Sequence, residues 1–139
     1  MEENRVKTVE YRIEMQKQLA QDFWFMNYKQ PEIWREDFDW ADNCVDMEWG
    51  NGWLAPFYDL CQQLLTEVKS DFQWVQLKEK FGEARCYYNG TVTEYGKQLI
   101  DLFERDMGYI CEYCGREGKI REGSWLICLC DECYNERRK

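Results

Sequence analysis

FQWVQLKEKFGEARCYYNG, residues 72–90, is the stretch that decides the fold. Phe72, Trp74, Gln76 and Lys78 alternate with Gln73, Val75 and Leu77, the two-residue period of a half-buried strand. Residues 84–88 supply a second strand, with Cys86, Tyr87 and Tyr88. Between the two, KEKFG reads as a charged turn in which Gly82 can take a positive φ. Asn89-Gly90 closes the second strand with a further turn signal. The stretch predicts a β-hairpin.

Helical patterns flank it. In residues 53–69, Phe57, Leu60, Cys61, Leu64, Leu65 and Val68 recur at three- and four-residue spacing and make one apolar stripe, with Pro56 suited to the first turn. Cys61 lies in that stripe as a small buried side chain. After the hairpin, Leu99, Ile100, Leu102, Phe103 and Met107 predict a helix that Thr93 caps and Gly108 ends. Near the amino terminus, Val9, Tyr11 and Ile13 permit a strand, while Val6, Val9, Ile13, Leu19, Phe23 and Met26 permit an amphipathic helix. The reading favours a helix over about 12–28, with a short strand ahead of it left open, interrupted at Pro31. Residues 35–52 read as irregular, with a turn at Gly50-Asn51-Gly52. The fold class is α+β: helices packed around a short β-hairpin, followed by a cysteine-rich carboxy-terminal module.

That module begins at Cys111-Glu112-Tyr113-Cys114-Gly115 and ends with Cys130-Asp131-Glu132-Cys133, two CxxC units separated by fifteen residues. Four thiolates on two knuckles satisfy tetrahedral Zn2+, and Gly115 lets the backbone turn so that amides approach sulfur. Cys128 offers a different ligand, but the paired spacing favours Cys130 with Cys133. Trp125, Ile127 and Leu129 alternate along the incoming strand and are expected to shield the metal from water. A helix starting near Glu132 would make the module treble-clef-like rather than a plain ribbon. Four sulfur ligands leave no open position for water, so the zinc is expected to be structural.

The 139 residues carry 18 basic and 27 acidic side chains, a net charge of −9, and no histidine. Lacking an imidazole, the chain cannot build His-dependent hydrolase triads or an HExxH metalloprotease site. Residues 111–139 hold six basic and six acidic side chains, so residues 1–110 account for the whole −9. Such a balance argues against coating duplex nucleic acid. No run reaches the roughly 18 apolar residues of a membrane span. The start, Met1-Glu2-Glu3-Asn4-Arg5, lacks the basic-then-apolar pattern of a secretory signal, so the expected location is the cytoplasm. There, clustered thiols bind metal rather than pair as disulfides. The length suggests three segments: 1–49, a variable helix with an acidic-aromatic stretch; 50–110, a helix–hairpin–helix core; and 111–139, the zinc module.

Charge concentrates at 32–59, where eight acids face only Arg35 and alternate with aromatic residues. The plain reading is a surface segment whose rings anchor to the core while its carboxylates face water. The functional reading is a partner-binding face of Asp37, Asp39, Trp40, Asp42, Asp46, Trp49 and Trp53 that captures a basic macromolecule. A second candidate is basic. Lys78, Lys80 and Arg85, with Tyr87 to stack and Arg121 of the last module, could hold an anion such as a phosphate. Its plain counterpart is a set of solvent-facing hairpin charges with Phe81 folded inward.

Gly50-Asn51-Gly52-Trp53, Leu60-Cys61, residues 76–82 (QLKEKFG), Arg85, Tyr87, Cys111-Glu112-Tyr113-Cys114-Gly115, Arg121, Trp125 and Cys130-Asp131-Glu132-Cys133 together resemble a widespread family of small uncharacterised bacterial and bacteriophage proteins. The resemblance covers about residues 50–139, and Ala84 stands where that pattern usually has an aliphatic residue. It implies a terminal zinc knuckle pair, carriage by phages or prophages, and inhibition of a host factor or defence system in the bacterial cytoplasm. The resulting expectation is a non-enzymatic zinc protein that binds a host protein, with a local RNA or DNA contact, no membrane, and a homodimer through exposed tryptophans as a further option. The alternatives are a nucleic-acid-binding zinc protein and, behind it, a carboxylate-dependent enzyme using Glu79, Glu83, Asp101, Glu104 or Asp106.

Overall fold

The computed structural model describes residues 5–28, 43–123 and 125–138. Helix α1 spans Val9–Asp22, and the Thr8 hydroxyl caps it by accepting from the Tyr11 amide at 3.1 Å. It starts and ends earlier than the sequence pattern suggests, and no strand precedes it among the described residues. Phe23, Phe25 and Met26 are all buried, and three such side chains in four residues cannot share one helical stripe. The chain therefore leaves the α-helix at Phe23 and makes a 3-10 turn over Trp24–Met26.

Strand β1, Met47–Glu48, runs parallel to β2 (Gln73–Lys80), which pairs antiparallel with β3 (Glu83–Asn89) in the order β1-β2-β3. The stretch around β1, expected to be irregular, buries Val45, Met47 and Trp49 while Asp46 and Glu48 face outward. That alternation is a strand's, over too few residues to announce itself. In β2 a bulge between Trp74 and Gln76 breaks the simple alternation, so Trp74 and Leu77 both point into the core and Val75 is exposed.

Between β1 and β2 lie a 3-10 turn at Asn51–Trp53 and helix α2, Leu54–Leu64, which buries Leu54, Phe57, Leu60, Cys61 and Leu64. Helix α3, Glu94–Asp106, follows the hairpin, capped by Thr93, whose hydroxyl accepts from the Gly96 amide at 3.0 Å. Residues from Tyr11 to Met107 form one apolar core, joined by Cys128 from the terminal module. Its centre is aromatic: Trp49 lies 5.2 Å from Phe57, and Phe57 lies 5.6 Å from both Trp74 and Phe103, ring centre to ring centre.

The terminal module contains β4 (Lys119–Arg121), its antiparallel partner β5 (Ile127–Leu129) and helix α4 (Asp131–Arg138). A knuckle, a hairpin and a helix opening on the second CxxC is the expected treble-clef-like order. The observed fold is α+β.

Candidate metal centre and exposed faces

The Sγ atoms of Cys111, Cys114, Cys130 and Cys133 all lie within 4.8 Å of one another, and all four residues are buried. Cys114 and Cys130 Sγ are 3.6 Å apart. A tetrahedral Zn2+ with Zn–S distances of about 2.3 Å implies sulfur–sulfur edges of about 3.8 Å, so the donor set fits. Burial pushes the Cys111 and Cys133 thiols up, which disfavours free thiolates unless a cation holds them. Burial also acts on Cys114, but hydrogen bonds led by Arg116 outweigh it and bring that thiol down to about 7. Cys128 is not in the cluster; its side chain joins the main core, and burial pushes its thiol up to about 12. The alternative ligand is thereby decided in favour of Cys130.

Several groups hold this centre in place. Arg116 donates from Nε to Cys114 Sγ at 3.4 Å and from a terminal nitrogen to Glu132. The Cys133 amide donates to Cys130 Sγ at 3.4 Å. Ile127 and Leu129 shield the cluster as expected, but Trp125 does not, being 67% exposed. The module docks on Gly50-Asn51-Gly52. The Gly52 amide donates to the Glu112 carbonyl at 2.8 Å, the Gly50 amide to Glu112 Oε2 at 3.0 Å, and Trp53 Nε1 to the Ile110 carbonyl at 2.8 Å. Glu112 is buried, and desolvation with Glu79 nearby pushes its carboxyl up to about 7. Asn51 also clamps α1: its Nδ2 donates to the Val6 and Thr8 carbonyls, and its Oδ1 accepts from Arg12. In the sequence this tripeptide reads as a turn and as part of the family motif, with nothing to mark it as a docking seat.

The acidic-aromatic face expected from the sequence loses Trp49 and Trp53 to the interior. Trp53 is fully buried and Trp49 is 5% exposed, so neither can anchor a partner or a homodimer seam. Both rings are taken up by the core, in agreement with the plain reading of this part of the segment. Asp46 is exposed, whereas Asp37, Asp39, Trp40 and Asp42 lie outside the described residues.

The basic set is partly assembled. Lys78 stands opposite Arg85, Gln76 opposite Tyr87, and Lys80 opposite Glu83, all on the hairpin face turned away from the core. Lys78 Nζ lies 5.9 Å from the Tyr87 ring centre, and Lys80 Nζ lies 5.6 Å from that of Phe81. Arg85 is braced by Glu83 at 3.2 Å and by the Ala84 carbonyl. Arg121 is removed from this set. Its side chain is 11% exposed, stacks 4.5 Å from the centre of the Tyr134 ring, and donates to the Leu129 carbonyl and Asp131. Phe81 is not folded inward: it is 63% exposed.

The carboxylates considered for catalysis are largely committed to structure. Glu79 accepts from the Gly82 amide at 2.7 Å, Glu104 from the Cys86 amide at 2.8 Å, and Glu83 pairs with Arg85. Among the described residues, no helix is long and apolar enough to cross a membrane. No family model matches the chain, and neither a curated protein nor a solved structure does. Fold and site define an α+β protein with a four-cysteine cluster suited to a structural zinc ion.

Proposed function

We propose that this chain is a non-enzymatic binding protein, carried by a phage or prophage as its sequence resemblance implies, that blocks a host macromolecule by occluding it. Zinc has a scaffolding role in this reading, since four thiolates leave it no position for water or substrate. The exposed hairpin face is the contact surface, replacing the tryptophans that lie in the core.

The observation supporting this is Phe81. It takes φ +56° beside Gly82 at +85°, the signature of a tight two-residue hairpin turn that Asn-Gly or Gly-Gly would make more comfortably. A left-handed conformation costs a residue with a Cβ roughly 1–2 kcal/mol. Burial returns little of this, because the ring stands in solvent. A large exposed ring held at a strained turn is a ready contact for a partner.

The test is Phe81→Asn. The variant should be as stable as the parent or about 1 kcal/mol more so, while its affinity for the macromolecule captured from the host falls tenfold or more. Wild-type affinity in the variant would overturn the proposal. So would a catalytic turnover abolished by changing one of the hairpin or α3 carboxylates.

A further inference from the structure

The charge and ring pattern of the same face says what kind of macromolecule it takes. Among the described residues the helices cover one face of the sheet; on the other, Gln76 and Lys80 are exposed and Lys78 is half-buried. Along β2, residues two apart are about 7 Å apart, and their partners on β3 lie about 5 Å away. The Lys78 and Lys80 cations are thus interleaved with the Tyr87 and Phe81 rings on one face of the hairpin. Tyr87 is 46% exposed, which leaves part of its ring free to stack. Among the described residues two acids stand in or beside this strip: Glu83, held in an ion pair with Arg85, and Glu48, next to Lys78 in the sheet register.

The lysines would repel a basic protein, and an acidic protein would meet the charges while using the rings only as apolar contacts. A polyanion with a planar ring on every repeat uses both. We infer that the Phe81–Tyr87 face binds single-stranded nucleic acid, with phosphates on Lys78 and Lys80 and bases stacked on the two rings. This rests on the proposal that the hairpin face is a contact surface. Stacking of this kind tolerates any sequence, because every base presents a ring face.

A duplex is a poor occupant. Its bases are already stacked, and its many phosphates would meet the acids flanking the strip, beginning with Glu48, which stands beside Lys78 in the sheet register. The chain's −9 charge does not forbid a local contact, because charges beyond about 8 Å are largely screened at physiological salt.

The test uses the zinc-loaded full chain and a fluorescent oligothymidylate of about 20 nucleotides, read by anisotropy at several salt concentrations. Binding should weaken with salt, exceed that of a duplex of equal length, and fall about tenfold in Tyr87→Ala while Tyr87→Phe binds as wild type. The double change Lys78→Gln and Lys80→Gln should flatten the logarithmic salt slope by roughly 1.4, at about 0.7 per phosphate contact. Absence of binding, equal binding of duplex, or an unchanged Tyr87→Ala variant would overturn the inference. A Phe81-dependent partner captured after nuclease treatment, with no oligonucleotide binding, would sink the nucleic-acid assignment alone. A Phe81→Asn variant that loses no affinity for any partner would sink the contact surface itself.

Discussion

Arg116 is two residues past a zinc-site cysteine, where the sequence offers no reason to single it out from the other cations of the module. In the fold its guanidinium donates to Cys114 Sγ and pairs with Glu132 on the next knuckle, so it both offsets thiolate charge and ties the two halves of the site together. Replacing it with Ala should weaken zinc retention by about tenfold, measured by competition with a chromophoric chelator, while Arg116→Lys should recover only part of the loss. Retention equal to the parent would show that these hydrogen bonds are incidental. The same scale shows where residue identity misleads. Trp49 and Trp53 read equally well as exposed anchors or as core, because a tryptophan among acids carries no mark of which way its ring turns. What decides is tertiary packing: Trp49 lies against Phe57 and Phe103 from other elements, and Trp53 lies against Trp49 and donates to the Ile110 carbonyl.

The elements were largely legible, and the contacts between them were not. Thr93 and the 3.6-residue stripe announced α3, and the alternation with the glycine turn announced the hairpin, since both are local properties of chain geometry. Docking of the zinc module is different: it depends on two glycines with no local mark beyond a turn. A Cβ at Gly52 would lie 2.2 Å from the Cys111 carbonyl oxygen and 2.5 Å from the Gly115 amide, both backbone atoms that cannot step aside. Gly52→Ala should therefore push the knuckle off the body, lowering stability by roughly 1–3 kcal/mol in a urea titration and loosening zinc as well. An undiminished stability would mean that the module does not need this seat. Gly50 is pressed in the same way, since a Cβ there would stand 2.4 Å from the Glu112 carbonyl oxygen.

At the scale of the molecule there are two apolar clusters among the described residues. The larger gathers residues from Tyr11 to Met107 together with Cys128, and the smaller consists of the four zinc-site cysteines with Ile127 and Leu129. The smaller has few side chains besides the thiols, so its order depends on the metal. Stripping zinc with a strong chelator should leave amide protection in α2, α3 and the hairpin while abolishing it across β4, β5 and α4 in hydrogen exchange. Uniform loss of protection would show that the core depends on the module; retained protection in α4 would show that the module folds without metal.

The sequence by itself determined the fold class, the hairpin, two of the helices and the four ligands, because each rests on spacing within a short window: period two, period 3.6, and two residues between paired thiols. Only the tertiary structure decided that Cys128 faces the core, that Arg121 is committed to Leu129 and Asp131, that Trp49 and Trp53 are interior, and that Phe81 stands in solvent. These depend on which distant surfaces meet. A side chain's exposure is a property of its neighbours, and the neighbours of these residues are brought in from elsewhere in the chain.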